Sequence, residues 1–292
     1  PAVEGTGKGG KTQGDYELRL VFSKTADDYI TDESGVDLDA DGDGTPGGTL
    51  NTWFNVTETD GIPVGGESRT LFVDKSATTA GNGSISSPYT NLNTAMDAAA
   101  AGDIVRVIGN VGVDELGNVD VAFNQAYELG YNPLSGADLP DGTSLVVKQG
   151  VTLMVDAGVV IKSRRARITR GSDSSLIDLS GSAIQMLGTP RLLDSNGNLL
   201  TDANGDSVPG EIYLTSLFDK EIGLHTTTGT GVFDPAGGDW GGIEINNRFD
   251  EGSEDNGEFV DLINHTTIQY GGGLVVVEGN VQVVSPIHLT DA

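Results

Sequence analysis

The stretch Leu71–Gly109, LFVDKSATTAGNGSISSPYTNLNTAMDAAAAGDIVRVIG, decides how this chain reads. Leu71–Val73 is a short strand that runs into a Gly/Ser turn ending in Ser87-Pro88-Tyr89. Leu92, Ala95, Met96 and Ala99 then recur at helical spacing, which predicts an Ala-rich helix over Leu92–Ala100. Gly102-Asp103 stops it, and the β-branched run Ile104–Ile108 begins at once. So short a helix is marginal in water and must lie on a packed neighbour. The pattern predicts a helical lid over the first turn of a stacked β body.

Working outward, short apolar runs recur after Ile104. They are Ser144–Val147, Val151–Val155, Val159–Ile161, Arg167–Ile168, Leu176–Leu179, Ala183–Leu187, Ile212–Leu214, Gly242–Ile245, His265–Gln269, Leu274–Val277 and Val281–Val284. Gly, Asn, Asp and Ser fill the gaps. Such spacing predicts an all-β solenoid whose coils bury their inward side chains on one another. Gly109–Gly142 and Arg191–Gly210 are too polar for coils and are expected to project as loops. The closing run VVVEGNVQVVSPIHLTDA stays strand-like, so the end of the solenoid is expected to be open, continued or covered by another chain.

Upstream, residues 1–13 read as a linker or the edge of a preceding module, and 14–69 as a small β segment. Tyr16, Leu18, Leu20 and Phe22 alternate in the first of its strands, and Thr52–Val56 supplies a second. Residues 70–292 form the β body. The chain begins Pro1-Ala-Val-Glu, so it is expected to be a piece of a longer polypeptide.

Composition narrows the function. Among 292 residues there are 43 glycines, no cysteines, and 43 acids against 16 bases, a formal charge of −27. Disulfides and thiolate-bound zinc are excluded. The charge repels nucleic acid and anionic lipid. No apolar run approaches the ~20 residues of a membrane-spanning helix, so membrane insertion is not expected.

Asp37, Asp39, Asp41 and Asp43 place carboxylates at alternate positions ahead of Gly44, as at the start of a calcium loop. The register Asp39-Asp41-Asp43 fits best. A full EF-hand wants a bidentate Glu where Leu50 stands, so other ligands must complete the site. The other reading is a solvated acidic turn. Asp202, Asn204 and Asp206 repeat the spacing after Asp194-Ser-Asn-Gly-Asn198, with ordinary β-turns as the alternative. Asp250–Asp255 is a weaker acidic loop. Lys162, Arg164, Arg165, Arg167 and Arg170 hold five of the sixteen basic residues. They read either as a patch for acidic sugar or an acidic neighbour, or as a strand face paired with the chain's own carboxylates. His225, His265 and His288 lack metalloprotease spacing, and no nucleophile elbow or phosphate loop occurs. Trp240 in GDWGGIEI reads as packing a corner, with sugar stacking as the alternative.

The 71–109 stretch, together with VDLDADGDGTPGGTLNTWFNV, GVTLMVDAGVVIKSRRARI and GDWGGIEI, resembles right-handed parallel β-helices of the pectate-lyase-like type carried by giant bacterial cell-surface proteins. The resemblance spans residues 14–285. It implies a calcium-binding, extracellular or cell-surface, adhesin-type structural segment; no catalytic residue is assigned, since Asp156, Asp178 and Asp239 occur singly and no acids pair on adjacent strand positions. Expected partners are polysaccharide, neighbouring surface modules or further copies of the chain. Enzymes of this fold cleave acidic polysaccharides with calcium and a basic residue, or with clustered aspartates, so a lyase or glycoside hydrolase is the rival reading. A subunit of an extracellular filament or surface layer is the third.

Overall fold

A computed structural model describes residues 69–79, 81–172, 177, 179–193, 199–227, 232–247, 261–277 and 280–290, and the strand backbone at 2–6, 14–22 and 48–56. The chain divides into two compact units, Pro1–Arg69 and Thr70–Ala292. In the first, β1 (Ala2–Thr6), β2 (Gly14–Phe22) and β3 (Gly48–Val56) form one antiparallel sheet in that order. Tyr16 pairs with Phe54 and Leu20 with Leu50, so the alternating pattern of β2 has a full-length partner. The stretch expected as a linker contributes β1, which pairs with β2 from Ala2↔Val21 to Thr6↔Glu17.

Among its described residues the second unit is all-β with one α-helix, and its strands pair mostly in parallel. It opens with β4 (Thr70–Asp74), α1 (Leu92–Ala98) and β5 (Ile104–Ile108). Three parallel sheets then take strands in rotation. The first adds β8 (Thr152–Asp156), β11 (Ala183–Leu187) and β14 (Leu262–Asn264) to β4 and β5. The second runs β6 (Ala126–Gly130), β9 (Val160–Arg164), β12 (Ile212–Ser216) and β15 (Thr266–Ile268). The third runs β7 (Leu145–Val146), β10 (Arg167–Arg170), β13 (Gly242–Asn246) and β18 (Ile287–Thr290).

Register stacks apolar residue on apolar residue. Leu71, Val105, Leu153 and Ile184 form one buried row, and Val73, Val107, Val155 and Met186 the next. Tyr127, Ile161 and Leu214 continue the core in the second sheet, and Leu145, Ile168 and Ile243 in the third. Parallel strands cannot be joined by tight hairpins, so successive strands of these three sheets are linked by crossovers. Gly130 turns one of them. Its φ of +110° and the Arg164 carbonyl against its α-carbon leave no room for a side chain.

Helix α1 buries Leu92, Ala95 and Met96 on the first strands, as its spacing predicts, and ends at Ala98 with Ala99 as its buried cap. Two expectations need correcting. Gly109–Gly142 is not all projecting loop, because β6 lies within it, wholly buried. The runs Leu274–Val277 and Val281–Val284 are not two successive coils either. β16 (Leu274–Val277) and β17 (Asn280–Val283) pair antiparallel with one another as a hairpin. The Leu176–Leu179 run contains two described residues, Ile177 and Leu179, neither in a strand.

Candidate functional site

Asp37, Asp39, Asp41 and Asp43 lie outside the described residues, as do Asp194–Asn198 and Asp250–Asp255. Asp202, Asn204 and Asp206 sit on an exposed turn closed by the bridge Thr201↔Ser207. Asp202 Oδ1 accepts from the amides of Asn204 at 2.8 Å and Asp206 at 2.9 Å. Those backbone bonds, Asp206's first, hold its carboxyl below the usual range. Among the described residues no group of three or more acids or histidines is gathered around one point. The 202–206 turn is closed on its own amides.

The same turn occurs at Asp114–Asn118, which reading by composition missed. Asp114 Oδ1 accepts from the amides of Leu116 and Asn118, each at 2.8 Å, inside the bridge Val113↔Val119. Both turns spell D-x-x-G-[ND], with Gly117 at φ +86° and Gly205 at +84°. The same spelling recurs at Asp39–Asp43 and Asp194–Asn198, and it was the signal that could have found the Asp114 turn.

The basic run 162–170 forms no single surface. Arg167 pairs with Glu244 at 2.7 Å and Arg170 with Asp261 at 3.3 Å. Arg164 donates to the Tyr131 carbonyl at 3.2 Å and stacks over Phe218. Lys162 is buried on the outer face of the second sheet, between Glu128 and Thr215 in register. Its ammonium donates to the carbonyls of Asp219 at 2.6 Å and Gly223 at 2.8 Å. Glu128 accepts from the amides of Thr226 and Thr227 at 3.1 and 3.2 Å and from the Thr227 hydroxyl. Asp219 accepts from Thr215 Oγ1 at 2.6 Å. Three charged groups thereby fasten the segment Asp219–Thr227 across the sheet. Burial brings the Lys162 ammonium down to about 8, against the opposing pull of Asp219 and Glu128. His225, in the same segment, is lowered by burial and then by Lys162.

A second charged cluster stands at the foot of α1. Lys75 Nζ lies 2.6 Å from Asp141 Oδ2, 3.2 Å from Asn91 Oδ1 and 3.3 Å from the Thr90 carbonyl. Asp141, its side chain wholly buried, also accepts from the amides of Leu92 at 3.0 Å and Glu128 at 2.7 Å. Asn91 is the residue that caps α1, yet its side chain makes no capping bond. Asp141 does that work and leaves the carboxamide turned to Lys75. The Tyr127 ring covers Nζ at 5.5 Å, with its hydroxyl bonded to the Lys75 amide and the Val73 carbonyl. Neither Lys75 nor Asp141 stands out in the sequence, because their partners lie on other strands.

Trp240 is a packing residue and His288 a surface one. Trp240 is buried in the core and donates Nε1–H to the Gln269 carbonyl at 2.7 Å. His288 lies on the exposed strand β18, with Nδ1 at 3.6 Å from Glu244. No protein-family model, no curated protein and no solved structure matches this chain.

Proposed function

We propose that this chain is a non-enzymatic structural or adhesive segment of a large secreted or surface-anchored bacterial protein. Its second unit would be a right-handed parallel β-helix of the pectate-lyase-like kind. The observation that carries the reading is the use made of buried charge. Lys75, Asp141, Glu128 and Lys162 spend their hydrogen-bonding capacity fixing chain segments to the sheets. Rotation of strands through three parallel sheets supports a coil with three strands per turn. Calcium belongs to this proposal through Asp39, Asp41 and Asp43, whose mutual repulsion a divalent cation would relieve. Extracellular placement rests on the resemblance and on the acidic, cysteine-free composition. A glycan or a neighbouring surface module remains the proposed partner.

Two measurements test it. Thermal melting in calcium and then in chelator should differ; superimposable curves remove calcium. Incubation with polygalacturonate and alginate should release neither unsaturated products nor reducing ends. Release of either would replace the structural reading by the lyase or hydrolase reading.

A further inference from the structure

We propose that Lys75 and Asn91 are joined by an intramolecular isopeptide bond formed autocatalytically, with Asp141 moving the protons. Three features converge on it. The amine lies within hydrogen-bond reach of the Asn91 carboxamide, at 3.2 Å from Oδ1. A carboxyl group on the far strand connection touches the same amine at 2.6 Å. The site is shielded: the Lys75 and Asp141 side chains are 11% and 0% exposed, and the Tyr127 ring lies over Nζ.

Shielding matters because an ammonium is not a nucleophile. In water, proton transfer from an ammonium to a carboxylate is strongly uphill. In a dry site the charged pair loses its hydration, and the neutral amine and neutral acid become accessible. Burial is also the largest influence on the Asp141 carboxyl and pushes it up, against the Lys75 charge and the amides it accepts from. Holding the reactants in place replaces an encounter in solution by a unimolecular step.

The chemistry balances without any outside reagent. Asp141 takes a proton from Nζ, whose lone pair attacks Cγ of Asn91. The C–N bond forms as the Cγ=Oδ1 π pair moves onto oxygen. Asp141 hands that proton to the Asn91 amide nitrogen, which leaves as ammonia as the tetrahedral centre collapses, and the freed carboxylate takes the second proton from the former Nζ, so the charged pair ends as a neutral amide and a protonated Asp141. The product is a secondary amide between the two side chains, and no electron is gained or lost. The loop it closes ties the end of β4 to the start of α1, the point at which the lid meets the body.

Among the described lysines, Lys75 alone faces a side-chain carboxamide beside a buried acid. Lys148 and Lys162 donate to backbone carbonyls, and Lys220 meets Asp234 at an exposed surface.

The test is peptide mapping of the folded, full chain after digestion with trypsin. Cleavage is expected after Arg69 and Arg106 but not after Lys75, since an acylated lysine is not recognised. The product should be one looped peptide, Thr70–Arg106, lighter by an ammonia (about 17 Da) than its residues. Complete cleavage after Lys75 with unmodified masses overturns the proposal. A loss of ammonia with Lys75 still cleaved also overturns it, since a succinimide at Asn82-Gly83 would give that result. Asn91→Asp should give the same loop with loss of water from the carboxylic acid. Asp141→Asn, checked for folding by circular dichroism, should leave Lys75 cleavable. If that variant still forms the loop, the proton-transfer role of Asp141 falls.

Discussion

Lys162 is held at a cost that pH reveals. Its folded value of about 8 lies below the ordinary 10.5, so between those two values the unfolded chain binds more protons than the folded one. Stability must then rise with pH across that window, by on the order of 3 kcal/mol in all. Below pH 8 the full penalty is present. We expect wild type to gain thermal stability from pH 8 to pH 10 relative to Lys162→Met, in which the slope is gone; parallel melting profiles for the two would refute it. The window closes at its upper end because burial raises the Tyr127 and Tyr213 hydroxyls, which disfavours folding once free tyrosine ionises. Asp202 behaves in the opposite sense. Its carboxyl is held below 3.8, so its contribution is present above that value and fades as pH falls further. Asp202→Ala should speed hydrogen exchange at the Asn204 and Asp206 amides while leaving the melting temperature nearly unchanged. Unaltered exchange there would mean that the carboxylate does not close the turn. This division between buried and exposed acids was only half legible in the sequence. The D-x-x-G-[ND] spelling marks a turn, but nothing near Lys162 announces that Gly223 and Asp219 will lie on top of it.

At the scale of elements, what packing enforces is easiest to read. The helix α1 was legible because Leu92, Ala95 and Met96 repeat at the helical period and all face the core. β6 was not, because both its faces are buried. Its inward face carries Tyr127 and Leu129, but its other face holds Glu128, matched in register by Lys162. A period-two pattern presumes one wet face, and here that face is covered by Asp219–Thr227. The β16–β17 hairpin misled because a short, continuous Val-rich run resembles a buried parallel strand, whereas here two such runs pair antiparallel with one another. Position within a sheet should set the cost of losing a side chain. Leu153 is fully buried between Val105 and Ile184, whereas Leu289 on β18 is 55% exposed. Leu153→Ala should cost roughly 3 kcal/mol, with cavity formation added to lost burial. For a domain of this size that lowers the melting temperature by ~6–12 °C. Leu289→Ala should move it by no more than ~2 °C, because a surface change of this kind costs about 0.5 kcal/mol or less. Equal effects at the two positions would mean that the sheets do not share one continuous core.

For the molecule as a whole the dominant quantity is charge. A formal net charge of −27 opposes compaction, since folding brings mutually repelling carboxylates closer together. The ion pairs near the surface, such as Arg106–Asp156 and Lys220–Asp234, involve few of the 43 acids and are worth little individually. Screening should therefore help more than it harms. The Debye length shrinks from about 30 Å at 0.01 M to about 3 Å at 1 M, which removes repulsion between distant acids before it touches a contact at 2.7 Å. Melting temperature is expected to climb by a few degrees as sodium chloride rises from low to molar concentration, steeply at first and then flattening. The buried clusters around Lys75 and Lys162 lie out of reach of counter-ions and should contribute nothing to that slope. A falling curve would show that surface pairs outweigh the net field. A site-bound cation has another signature: saturation at low concentration, and a difference between calcium and magnesium at equal ionic strength. The sodium titration thus fixes the baseline above which any calcium effect on Asp39, Asp41 and Asp43 must be counted.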